Sequence, residues 1–108
     1  MEKLEKKQLV NKLSYIIRVN QFRDAKSGAY LFLFKVSVEG PPTLLSYASA
    51  LNLKFEKVVR ENKVIFCSDW FESLRKVEEK ISEITKYLQS RGERTLVKND
   101  IFEEIVDF

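Results

Sequence analysis

Histidine is missing from this sequence altogether, and cysteine appears once, at Cys67. The first absence excludes a histidine-based catalytic triad, and the two together exclude a zinc site of the Cys/His kind. A lone thiol also excludes an internal disulfide. Glycine occurs three times, at Gly28, Gly40 and Gly92, too few and too scattered for a phosphate-cradling loop. No apolar run approaches the ~18 residues of a membrane span. The opening MEKLEKKQLVNKL alternates charge and lacks the apolar centre of a secretion signal, so a reducing, cytoplasmic setting is expected. No paired-acid motif suggests Mg²⁺, so neither a cofactor nor a metal is expected. Cys67 ends an apolar stretch and reads as a core cysteine, although a nearby helix N-terminus would favour a thiolate. No catalytic constellation emerges, and an enzyme is not expected.

The 108 residues suffice for one domain with a modest core. Apolar residues make up 44% and charged residues 32%, which describes a globular chain and not a disordered one. Lysine and glutamate dominate while proline and glycine are few, a composition that leans thermophilic. One tryptophan, four tyrosines and eight phenylalanines are generous for so small a core, which leaves rings for surface work.

The net charge of +3 conceals an asymmetry. Residues 1–67 carry 12 Lys and Arg against 6 Asp and Glu, and residues 68–92 carry 5 of each. Residues 93–108 carry 2 against 5. A basic body attracts phosphate-rich partners through its long-range field. A solvated lysine-rich surface is the bland alternative.

Hydrophobic spacing predicts an α+β fold: two hairpins, hence a four-stranded antiparallel sheet, then one long helix. Residues 13–22 alternate, with Leu13, Tyr15, Ile17 and Val19 on one face and Ile16, Arg18, Asn20 and Phe22 on the other. Turn residues follow, then an aromatic and β-branched strand at 29–39. After the GPP break, residues 43–50 fit either a short helix with Leu44, Leu45, Ala48 and Leu51 inward or the start of a strand. Residues 51–59 alternate with Leu51, Leu53 and Phe55 inward, and 63–67 return as the fourth strand. Ser68 then caps a helix carrying Trp70, Leu74, Val77, Ile81, Ile84 and Leu88 at spacings of four and three, with Gly92 as its stop. Such a narrow stripe fits packing on the sheet. It equally fits a homodimer seam through Leu74, Val77, Ile81, Ile84 and Leu88. The domain is expected to span 1–98, with 99–108 as an acidic tail or a short docked helix.

If the helix covers one side of the sheet, the other collects Arg18, Asn20, Phe22, Lys35 and Lys54. Arg23 and Lys26 stand in the adjoining turn, and the rings of Tyr30 and Phe32 near the hairpin tip. Cations that follow phosphates, interleaved with rings that stack on unpaired bases, are what a single-stranded nucleic-acid platform needs. The tail, with Asp100, Glu103, Glu104, Asp107 and Phe108, has opposite charge. It is expected to compete for that groove, or to recruit partner proteins, unless it docks on the body. A protein–protein adaptor or regulatory dimer, viral or otherwise, that does not bind nucleic acid is the alternative.

The stretch KVIFCSDWFESLRKVEEKI resembles the last strand and helix of the PC4-like single-stranded DNA-binding fold, with Phe71 and Leu74 in the places of that family's aromatic and leucine. Four strands and one long helix also fit that family, which dimerises through its helices. The overall layout is similar to archaeal single-stranded DNA-binding proteins of the ThermoDBP type, which lack an OB-fold. The acidic terminus ending in phenylalanine is similar to the partner-recruiting tails of several bacterial and phage single-strand binders. These likenesses imply sequence-tolerant binding of single-stranded DNA, or RNA, by a dimer.

Overall fold

The computed structural model describes residues 14–24, 32–60 and 62–106, and side chains over 15–22, 33–60 and 62–98. The elements are β1 (Ser14–Asp24), β2 (Phe32–Gly40), α1 (Leu44–Ala48), β3 (Lys54–Val58), β4 (Val64–Cys67), α2 (Leu74–Ser90) and β5 (Arg94–Val106). The strands form one five-stranded sheet in the order β3-β4-β2-β1-β5. Both expected hairpins are present and antiparallel, and β2 joins them by pairing with β4.

The alternation in β1 and β2 divides the sheet into two faces. Ile17 lies opposite Val38 and Val19 opposite Val36, and all four are buried. Tyr15, Phe34, Val64 and Phe66 extend this apolar layer. Leu44 and Ala48 of α1, then Leu51 and Leu53, close it over one end. Val77, Ile84 and Leu88 of α2 close it along the sheet, with Ile81 packed alongside. Residues 43–50 therefore adopt the helical alternative, although Leu45 points out and is 56% exposed.

The stripe offered to a second copy is occupied within the chain. Val77, Ile84 and Leu88 are at most 2% exposed, and removing each from its core would cost about 1.5–3 kcal/mol. Leu74 is the half-exposed member of the five. Phe55 also departs from expectation. It faces the apolar side, opposite Phe66, but sits on the outermost strand and remains 53% exposed.

The helix begins later than expected. Its cap is Ser73, in extended conformation, whose side chain accepts from the Lys76 amide at 3.3 Å. Ser68, expected as the cap, is buried and bonded into the sheet. Its hydroxyl accepts from Val36 N–H at 3.0 Å and donates to the Asp69 carbonyl at 2.8 Å.

A fifth strand replaces the expected division at residue 98. Arg94–Val106 runs parallel to β1, from Ser14 opposite Arg94 to Asp24 opposite Val106, with a bulge between Val97 and Ile101. Asp100, Glu103 and Glu104 thus belong to an edge strand, and Asp107 and Phe108 lie outside the described residues. Locally, Ile101, Phe102, Ile105 and Val106 follow a helical spacing. The unpaired edge of β1 supplies a hydrogen-bonded alternative that the local pattern does not reveal.

A polar knot ties α1, β1 and the start of β5 together. The buried Tyr15 hydroxyl donates to Glu93 Oε2 at 2.9 Å and accepts from the Thr43 hydroxyl at 2.6 Å. The Tyr47 hydroxyl donates to the same carboxylate oxygen at 3.0 Å. Gly40 lies against the Tyr15 ring, where a Cβ would stand 2.4 Å from Cδ2. Burial pushes the Tyr15 phenol up to about 12, with Glu93 reinforcing the shift and the Thr43 hydrogen bond opposing it.

Two outcomes are expected. The neutral phenol is favoured in the fold, so its stabilisation is complete below pH 10 and is lost as the pH climbs from 10 through 12. Urea unfolding across that interval should show the wild type losing stability as the pH rises, with Tyr15→Phe lacking that part of the loss. Truncation after Lys98 strips the partner from Val19–Asp24 and should lower the unfolding free energy by on the order of 2 kcal/mol or more. An unchanged thermal midpoint would mean that the pairing of Val19–Asp24 with β5 contributes nothing.

Candidate nucleic-acid interface

The face opposite the helices is organised in rows that cross the strands. Arg18 is in register with Ser37, Ser37 with Cys67, and Cys67 with Lys54. The two middle residues are small and buried, at 9% and 6% exposure. They form the floor of a trough with a guanidinium at one end and an ammonium at the other. Three strand spacings separate the ends, roughly 14 Å. To one side Asn20 pairs with Lys35. To the other, Ile16, Glu39, Ile65 and Lys57 form the next row. A cleft of about 180 Å³ opens between the rows, bounded by Ile16, Arg18, Asn20, Glu39 and Ile65.

Arg18 is the unusual residue here. Its Nε is buried and has no hydrogen-bond partner among the described residues. A buried donor left unsatisfied costs about 1–3 kcal/mol, more when charged, and a guanidinium cannot escape by losing its proton.

Trp70 reaches this face through a register slip. Between the pairs Ser37–Cys67 and Phe34–Phe71, β2 contributes two residues and the other chain segment three. The extra residue is a bulge, a device that re-aims side chains near sites. Phe71 rejoins the apolar side, where it packs on the core, and its neighbour Trp70 turns to the other side. There the Trp70 ring meets Phe22 edge-on, centroids 4.3 Å apart at 75°, and Lys35 Nζ stands 5.0 Å from its centroid. Trp70 is 41% exposed, whereas Phe22 is 8% exposed beneath it. The ring presented to solvent is therefore Trp70, and Phe22 supports it. Consecutive aromatics after Ser-Asp are the signal for this in the sequence, since an extended chain sends neighbours to opposite sides. Placing Trp70 on a helix obscures it.

Lys54 is paired with Asp69 of the same bulge, at 2.8 Å, with both side chains more than half exposed. The hydrogen bond and charge of Asp69 raise the Lys54 ammonium above its ordinary value, and Lys54 lowers the Asp69 carboxyl in return. An ion pair this exposed is weak and can be exchanged for another anion.

Arg18, Asn20, Phe22, Lys35 and Lys54 thus share one face, with Lys57 and Trp70 as members the spacing did not single out. Arg23 lies on β1 opposite Phe32 of β2 in the backbone register. The side chains of Arg23 and Phe32, and Lys26 and Tyr30 entirely, lie outside the described residues. A second cleft, of about 290 Å³, flanks the N-terminal half of α2. Its walls mix Lys76 and Lys80 with Asp69, Glu79 and Glu83, so it offers a polyanion no net attraction. Lys80 is moreover tied to the Leu51 carbonyl and to Glu83.

No protein family, curated protein or solved structure matches this chain.

Proposed function

We propose that this protein binds single-stranded nucleic acid, DNA or RNA, through the helix-free face of its sheet, with little dependence on sequence. The observation that carries the reading is Arg18, whose buried Nε has no partner among the described residues, set in a trough on that face. Lys35, Lys54 and Lys57 supply further charge, and the exposed Trp70 supplies a ring for base stacking. The trough selects against duplex. A rigid double helix cannot lower an acceptor to a nitrogen beneath the surface, whereas a flexible strand can. In this reading Asp69 occupies Lys54 until a phosphate displaces it.

The edge strand β3 favours a second reading, a protein-binding module or dimer. All five of its residues are exposed, Phe55 and Val58 among them at 53% and 65%. Lys54 and Lys57 and the bulge at Glu56 work against edge pairing, which places this reading second.

Fluorescence anisotropy with labelled oligonucleotides at two salt concentrations tests the first reading. Tight binding of single strands and weak binding of duplex are expected at low salt. Arg18→Ala with Lys54→Ala should weaken binding and flatten the dependence of log K on log salt by about 0.7 per lost phosphate contact. Trp70→Ala should cost about 5-fold or more, the range for one stacked base. Asp69→Asn should tighten binding, and most of that gain should vanish when Lys54 is already alanine. Absence of binding at low salt, or equal affinity for duplex, overturns the proposal and leaves the β3 edge as the surface to pursue.

A further inference from the structure

A carboxylate is out of place on a surface that gathers phosphates, yet Glu39 stands in the middle of this one. Its row places it between Ile16 on β1 and Ile65 on β4, both half-buried. Arg18 lies diagonally across, two residues along the ladder, roughly 7 Å away between Cβ atoms. Both line the 180 Å³ cleft, with Glu56 and Lys57 of β3 at its far side, and Arg18 Nε nevertheless has no partner in it among the described residues. An arginine and a glutamate that share a cleft without pairing leave a space between an acceptor and a donor, with aliphatic walls beside it.

We infer that this cleft receives one unstacked nucleobase and that its polar groups favour guanine. The inference rests on the nucleic-acid reading above and departs from its sequence tolerance at one position, where the site prefers one base. Guanine alone among the bases presents two adjacent donors, the N1–H and the N2 amine, followed by an acceptor, O6, with N7 beyond it. Two parallel donors match the two oxygens of the Glu39 carboxylate, and O6 with N7 matches the Arg18 guanidinium. Adenine would set the unprotonated N1 against the carboxylate. Cytosine offers one amine followed by acceptors, and thymine or uracil a single N–H between two carbonyls. Each leaves Glu39 or Arg18 with a mismatched edge, and a buried polar group left unmatched is what produces discrimination. The walls of Ile16 and Ile65 are suited to the flat faces of a ring and not to phosphate. The opening is large enough for one purine and too small for a base pair. Reading a splayed base by its Watson–Crick edge requires a single strand, which agrees with the selection against duplex.

The test uses the full chain and a short oligothymidylate in which the central base is thymine, guanine, adenine, cytosine or hypoxanthine. A single guanine cannot build a quadruplex. The guanine oligonucleotide should bind about tenfold or more tighter than the adenine one. Hypoxanthine, which lacks the N2 amine, should fall between them. Glu39→Gln should abolish the guanine preference, with an unchanged circular-dichroism spectrum and thermal midpoint showing that the variant is folded. Equal affinity for guanine and adenine, or a preference that survives Glu39→Gln, overturns the inference and leaves the nucleic-acid reading standing. Failure to bind any of the five strands at low salt overturns both.

Discussion

The sheet has one face that cannot be left in water. Tyr15, Ile17, Val19, Phe34, Val36 and Val38 line it without interruption, and a chain of this size has few residues with which to cover them. The seam of α2 does most of that, with α1 and the leucines at 51 and 53 completing the lid. Everything functional follows from this allocation. Because α2 buries Val77, Ile84 and Leu88 against its own sheet, that part of the seam is already filled within the chain. Because no described helix covers the opposite face, Arg18, Asn20, Lys35 and Lys54 share a surface in place of a core.

The second organising feature is one extra residue. The insertion between Cys67 and Phe71 keeps Phe71 on the apolar side and sends Trp70 to the polar side, beside Lys35 and over Phe22. Ser68 maintains the ladder across the gap by accepting from Val36 N–H, so the bulge opens no unsatisfied amide there. Asp69 in the same bulge reaches Lys54. One local irregularity thus supplies the exposed ring, the ion pair and the offset that starts α2 at Leu74.

Charge is distributed to match. Along α2 the signs alternate and partly neutralise one another, as in the Arg75–Glu79 pair. On the opposite face the cations stand around a small-residue floor, and the Glu39 carboxylate lies between two isoleucines. The acidic segment 99–106 runs along the outer edge of β1, hydrogen-bonded into the ladder and no longer a free tail.

Much of this was legible in the sequence. Period-two alternation marks β1 and β2, and it alone fixes which of their side chains share a face, because neighbouring residues in extended chain must point apart. The apolar stripe of α2, the Gly92 stop and the inward Leu44 and Ala48 follow from the same geometry. Arg18, Asn20 and Lys35 as neighbours required only the first hairpin, whereas Lys54 joins them through the pairing of β2 with β4. The rest depends on contacts between distant segments. β5 looks helical by its own spacing, and only the unpaired edge of β1 makes it a strand. Ser68 and Ser73 are equally good caps locally, and only the amide of Val36 claims the first. Trp70 and Leu74 fit the helical stripe, and only the slip against β2 removes Trp70 from it. Local preference is worth a few tenths of a kilocalorie per mole per residue and is decided within a few positions. A buried amide without a partner costs several times more, and which segment supplies that partner is settled only when the chain has closed on itself.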